Sequence, residues 1–149
     1  MLQVYAPAKL NLVLEVLGKD NDYHQISSIV QAINLCDTLN FELEYEIQFK
    51  CNEPSLELDN LAMEAAELLR KVTHCSKGAR IELYKHIPWG VGLGGGSSDA
   101  AATLLALNEL WELRLPISEL AHLASELGSD VPFFIYGGTA LVEGVGERV

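Results

Sequence analysis

The 149-residue chain sets 21 Asp and Glu against 10 Lys and Arg, a formal net charge of -11, with 49% hydrophobic residues. Such a field repels a phosphate backbone and argues against nucleic acid, so an anionic ligand would need a local device: backbone N–H groups, a metal ion or a single Lys. Cys36, Cys51 and Cys75 contain no C-x-x-C pair, which signals neither a disulfide framework nor a zinc site and suits a reduced, cytoplasmic setting. No apolar run reaches the ~18 residues of a membrane span, and the segment from Met1 to Pro7 does not read as a secretory leader.

In chain order, Leu2 to Gly18 predicts two short strands broken at Pro7, with Leu10, Leu12, Leu14 and Val16 alternating against Asn11, Val13 and Glu15. A polar turn follows from Lys19 to Asp22, then an apolar segment from Tyr23 to Leu35. Thr38 to Cys51 alternates Leu39, Phe41, Leu43, Tyr45, Ile47 and Phe49 with polar residues, predicting a strand or hairpin with one solvated face. A helix capped by Asp59 or Asn60 carries Leu61, Ala65, Leu68, Leu69 and Val72 at helical spacing and ends before Gly78. Ala79 to Tyr84 is a strand, and a glycine-dense loop leads into a helix from about Ser97 to Leu113. A third helix, capped by Ser118, runs to Gly128 as its C′ residue. Ser129 to Ile135 is a loop and extended piece, and Gly137-Gly138 turns into a strand from Thr139 to Glu143. Strands and helices mix without regular β-α-β alternation, so the fold class is α+β, in one domain without an internal linker.

The loop Gly90-Val91-Gly92-Leu93-Gly94-Gly95-Gly96-Ser97-Ser98 places five glycines and two hydroxyls before a helix. Glycines let the backbone approach a ligand, and a helix start offers free N–H groups to phosphate. It is neither the Lys-containing P-loop nor the dinucleotide fingerprint. A plain tight turn is the alternative, but each unused glycine costs ~0.5–1 kcal/mol. Ser97 and Ser98 suit N-caps, and Ser98 also suits a ligand to Mg²⁺. Asp99 favours the helix dipole yet opposes a phosphate unless it points aside.

Lys9 stands in an otherwise apolar strand, and Asp130 stands between a helix end and an apolar segment. Each alone reads as an edge or turn residue. Together they suit phosphoryl transfer to an alcohol, the carboxylate accepting the hydroxyl proton while the ammonium orients that hydroxyl.

Pro7-Ala8-Lys9-Leu10-Asn11-Leu12, Tyr23-His24, Asp59-Asn60-Leu61, Gly92 to Ala101, Gly128-Ser129-Asp130-Val131-Pro132-Phe133-Phe134 and Glu143 to Glu147 together resemble the GHMP kinases. Within them, the Pro-Ala-Lys-Leu-Asn-Leu, Tyr-His and Asp-Val-Pro-Phe-Phe segments resemble the branch acting on 4-diphosphocytidyl-2-C-methyl-D-erythritol, although Asp22 stands where that branch has Gly. The resemblance implies a ribosomal protein S5 domain 2-like N-terminal domain over residues 1–149, without the family's C-terminal domain. It implies ATP and Mg²⁺ as cofactors and a cytidine diphosphate-linked methylerythritol as the small-molecule substrate, phosphorylated on a hydroxyl in the non-mevalonate route to isoprenoid precursors. By position, Lys9 and Asp130 become the catalytic pair, with Asp130 also touching substrate. Gly90, Gly92, Leu93, Gly94, Gly95, Gly96, Ser97 and Ser98 become the ATP phosphate loop, with Asn60 near the adenine. Asn11 becomes a substrate contact, and Tyr23 and His24 hold the cytosine by stacking and hydrogen bonds. A GHMP kinase for another alcohol such as mevalonate, and a domain that binds nucleotide or its own copies without turnover, remain open alternatives.

Overall fold

The computed structural model describes residues 1–20 and 23–149, with side chains described except at 19, 20 and 23–25. Strands β1 (Leu2–Asp20) and β2 (Tyr23–Glu44) pair antiparallel as a long ribbon, in register from Leu2 with Phe41 to Asp20 with Tyr23. The expected break at Pro7 does not occur. Pro7 pairs with Cys36 and Lys9 with Ala32, so the register shifts through extra residues on β2 while β1 runs on unbroken.

The segment from Thr38 to Cys51 is not a hairpin. It holds the end of β2 and the short β3 (Ile47–Cys51), and β4 (Gly78–Tyr84) is inserted between them, antiparallel to β2 and parallel to β3. Gly78 makes the insertion feasible, since a Cβ there would lie 2.5 Å from the backbone carbon and oxygen of Glu46 at the mouth of the fork. β5 (Thr139–Gly144) completes the five-stranded sheet by pairing antiparallel with β2 over residues 26–31, on a stretch separate from that used by β4.

Alternation decides the faces of this sheet. Leu39, Phe41, Ile81 and Leu83 are buried, while their neighbours Asn40, Glu42, Arg80 and Glu82 are only half-buried. The buried face packs on helices α1 (Leu61–Thr73), α2 (Gly95–Leu110), α3 (Ile117–Leu127) and α4 (Val131–Tyr136). Helix α2 lies between α1 and the β1–β2 ribbon and buries Ala100, Ala101, Leu104, Ala106 and Leu107. Its broad apolar surface is the mark of an interior helix.

Several helix ends differ from expectation. Asn60, rather than Asp59, caps α1, its Oδ1 accepting the Ala62 N–H at 2.9 Å. α2 starts at Gly95 and stops at Leu110, so Ser97 and Ser98 lie inside its first turns and cap nothing; Gly94 is the N-cap. α3 starts at Ile117 behind Pro116, which leaves Ser118 within the first turn, and it ends at Gly128 with an extended φ of 173°. The piece expected to be extended contains α4, whose Val131, Pro132, Phe133, Phe134 and Ile135 are all buried. Pro132 fits because the first helical turn has no use for its missing N–H. Among the described residues no helix is long and apolar enough to cross a membrane.

Candidate functional site

Three chain segments meet at the start of α2. Lys9, just past the register shift, donates its N–H to the Leu93 carbonyl at 2.9 Å, tying β1 to the glycine loop. Gly90, Gly92 and Gly94 have φ of 76°, 82° and 70°, the left-handed region that glycine enters without penalty. A Cβ on Gly94 would lie 2.9 Å from Phe134 Cζ and 3.2 Å from Lys9 Cε, so the Lys9 stem and the α4 aromatic pack directly on the helix cap. No side chain caps α2, and the N–H groups of its first turn project from the helix end, as at any uncapped N-terminus. At Gly96 a Cβ would meet nothing within 4 Å.

Asp130 occupies the N-cap position of α4 but makes no capping hydrogen bond. Its Oδ1 instead lies 3.9 Å from Lys9 Nζ, with the Lys side chain 10% exposed and the Asp 46%. The structure therefore brings together Lys9, Asp130 and the glycine loop. Lys9 and Asp130 border a cavity of about 180 Å³ lined also by Asn11, Ser28, Phe133 and Gly146 among others. Asn11 lines the same cavity, and its Oδ1 accepts from the Ser28 hydroxyl at 3.2 Å. Ser28 is buried, and its single hydroxyl hydrogen is shared between Asn11 Oδ1 and the Val13 carbonyl, the latter the nearer at 2.7 Å. Sequence reasoning missed it, because a serine in an apolar strand has no distinguishing neighbours.

The remaining expectations are placed less directly. Ser98 Oγ is buried without a hydrogen-bond partner among the described residues. An orphaned hydroxyl at a helix start fits a Mg²⁺ held chiefly by nucleotide phosphates and water, since that ion favours oxygen ligands and keeps several waters. Asn60 is occupied by its cap and by donation from Nδ2 to the Leu56 carbonyl at 2.8 Å, leaving one amide hydrogen and one lone pair for any base. The expectation for Tyr23 and His24 falls on side chains outside the described residues. A larger hollow of about 480 Å³ between α1 and α3, lined by Val72, Leu113, Leu115 and Leu123 among others, lacks both Lys9 and Asp130.

A second ionic cluster, also missed, lies under the loop. Lys85 Nζ donates to Asp37 Oδ2 at 2.6 Å and to Asp99 Oδ2 at 2.9 Å, and all three residues are buried. Asp37 Oδ1 accepts the N–H groups of His86 and Ile87 at 2.6 and 2.8 Å. Burial pushes Asp37 up, but hydrogen bonds from Asp99, Ile87, Lys85 and His86 outweigh it and leave the carboxyl below its ordinary range. For Lys85, burial pulls downward and is outweighed by the Asp99 and Asp37 carboxylates, so the ammonium is raised. Burial, reinforced by the hydrogen bond with Asp37, pushes Asp99 up to about 8, the Lys85 charge offsetting only part of that. Lone charges in the apolar runs around Asp37 and Lys85 were the available signal.

Comparison with known proteins identifies the family. Residues 60–138 match the family model described as the GHMP kinases N terminal domain. A 4-diphosphocytidyl-2-C-methyl-D-erythritol kinase of Prochlorococcus marinus (strain AS9601) is 50% identical over 151 residues, covering 98% of this chain and 49% of the relative. One from Nitrosococcus oceani is 48% identical, covering 100% of this chain and 55% of its own length. Among solved structures, a 4-(cytidine 5'-diphospho)-2C-methyl-D-erythritol kinase superposes with a TM-score of 0.86 at 41% identity, covering 99% of this chain and 53% of that one. A mevalonate kinase reaches a TM-score of 0.77 at 18% identity, over 97% of this chain and 55% of its own, which is likeness of fold alone. The chain spans about half the length of the curated relatives it matches.

Proposed function

This chain belongs to the GHMP kinase family, carrying its N-terminal domain, and from that premise we propose that it supplies the ATP-binding turn and the catalytic pair of a small-molecule kinase. The acceptor is a hydroxyl of 4-diphosphocytidyl-2-C-methyl-D-erythritol, the substrate printed in the names of its relatives, and the product feeds isoprenoid precursor synthesis. The observation that carries this reading is the approach of Lys9 Nζ to 3.9 Å from Asp130 Oδ1, with the same Lys stem packed on the helix cap at Gly94.

Asp130 accepts the proton of the substrate hydroxyl as its oxygen bonds to the γ-phosphorus of ATP and the bond to the β-phosphate oxygen breaks, releasing ADP. Lys9 orients that hydroxyl and offsets charge developing on the transferred group. First-turn N–H groups of α2 hold the phosphates, a local device suited to a chain of net charge -11. Mg²⁺, with Ser98 as a protein ligand, neutralises phosphate charge when bound. Asn11, oriented by Ser28, contacts the substrate, and Tyr23 and His24 hold its cytosine.

The test is ADP release from Mg-ATP and the cytidyl substrate, for which Asp130→Ala should lower kcat by about 10²–10⁴. An unchanged rate removes Asp130 from the chemistry, and turnover of mevalonate instead replaces the acceptor. A second reading, nucleotide binding without turnover in a self-associating domain, is favoured by the solvent-facing Leu12, Leu14, Val16 and Leu17 of β1, each more than half exposed. Calorimetric ATP binding with no turnover on any alcohol, together with dimers in light scattering, would select it.

A further inference from the structure

The stretch from Pro88 to Gly94 leaves β4 and returns as α2, and both of its ends are fastened to one buried cluster. Upstream, Asp37 accepts the N–H groups of His86 and Ile87. Downstream, Asp99 in α2 accepts from the same Lys85 ammonium that Asp37 holds. Lys85 is itself fixed at the backbone, its N–H donating to Asn52 Oδ1 at 2.8 Å. The ammonium presses against the helix start: a Cβ on Gly95 would lie 3.1 Å from Lys85 Nζ and from Ile87 Cγ2. Asp99 Oδ1, on a residue 1% exposed, has no hydrogen-bond partner among the described residues.

We propose that Lys85, Asp37 and Asp99 form a clasp that sets the position of the first-turn N–H groups of α2, with Lys85 as the positioning residue for nucleotide phosphate. The inference rests on the ATP reading above. Its reasoning is energetic. Burying several charges together is poor value for stability, and well-packed apolar residues often do as well, so such a cluster is better explained by what it holds in register. Here it holds the two ends of the glycine loop, beside the separate tie from the Lys9 N–H to the Leu93 carbonyl. Lys85 is not the phosphate's counter-charge, because its hydrogen bonds go to two carboxylates. What it contributes is the placement of Gly95 and the N–H groups beside it, and a misplacement of about 1 Å is enough to cost a large factor in an oriented site.

The test is calorimetric titration of the 149-residue chain with ATP and, as control, adenosine. Lys85→Met and Asp37→Asn should each weaken ATP about tenfold or more while moving adenosine less than about threefold. Asn at position 37 would turn a donor toward either Lys85 or the His86 and Ile87 amides. Asp99→Asn retains an acceptor for Lys85 and should recover ATP affinity to within about threefold of the parent, whereas Asp99→Leu should not. Hydrogen exchange on the unmutated chain needs no variant to fold: the His86 and Ile87 amides should exchange far more slowly than those from Trp89 to Gly92. Unaltered ATP affinity in Lys85→Met, equal losses for ATP and adenosine, or rapid exchange at His86 and Ile87 would each overturn the clasp. Failure of the unmutated chain to bind ATP sinks the nucleotide reading and the inference with it, whereas ATP binding that ignores Lys85→Met sinks the inference alone.

Discussion

Replacing Gly96 by Ala separates what the fold requires from what a ligand requires. Gly90, Gly92 and Gly94 are fixed by positive φ, and Gly95 by its contact with Lys85 and Ile87. Gly96 has neither constraint: it lies within α2, its φ is not positive, and a Cβ would point into open space. In a helix Ala is favoured over Gly by about 1 kcal/mol, and by about 0.4–1 kcal/mol where the gain comes mainly from the unfolded chain. At about 2–4 °C per kcal/mol for a domain of this size, Gly96→Ala should raise Tm by about 1–4 °C. The same methyl would stand at the mouth of the helix, where a phosphate oxygen has to come within about 2.9 Å of an N–H group. ATP affinity should therefore fall about tenfold or more, equivalent to about 1.4 kcal/mol. Thermal melts and calorimetry on the same preparation measure both effects. ATP bound as tightly by the variant would refute the cradle at this position, and a lowered Tm would refute the open-space geometry.

Gly78→Ala should destabilise by at least about 2 kcal/mol, because the new carbon would meet the Glu46 backbone rather than a side chain that can swing away. A lower urea midpoint at unchanged slope is expected, and an unmoved midpoint would contradict the insertion of β4. Asp99 is raised from 3.8 to about 8 on folding, so between those values the folded chain keeps a proton that the unfolded chain has lost. Its contribution to stability therefore falls as pH rises through that window, by at most about 1.4 kcal/mol per pH unit. Asp99→Asn should flatten the urea-midpoint profile from about pH 5 to pH 8, and an unaltered slope would refute this assignment. Asp37, lowered on folding, acts in the opposite sense and only in acid, its stabilisation being lost as pH falls through its folded value.

The sequence was most legible where chemistry and local pattern coincided. Five glycines before an apolar helix, a lone Lys two residues past a proline and an Asp at a helix junction pointed to one site, and β1 together with the start of α4 brings the Lys and the Asp within 3.9 Å. It was less legible where burial overrides composition. Val131 to Tyr136 is rich in aromatic and β-branched residues that read as extended, yet it is helical; burial of Val131 to Ile135 leaves no periodicity by which the sequence could tell a short helix from a strand. The start of α2 was set too late because glycine is a poor helix former, although the helix begins within the glycines. The insertion of β4 between β2 and β3 is a long-range choice, and its one local trace is the absence of a side chain at Gly78.

Asp99 shows why a charge near a phosphate turn cannot be judged from spacing alone. Its place in the sequence sets a carboxylate one residue beyond the serines of the loop, apparently in conflict with an anionic ligand. In the fold the side chain turns beneath the helix to Lys85, where burial favours its protonated form. With Asp37 ionised, Lys85 charged and Asp99 neutral, the cluster carries no net charge under the phosphate turn; with both carboxylates ionised it would carry one negative charge there. The burial that orphans Asp99 Oδ1 thus removes the repulsion that the sequence suggested. The conflict between Asp99 and a phosphate is resolved by the packing of β2, β4 and α2 around a single ammonium, a property of the fold that no window of neighbouring residues contains.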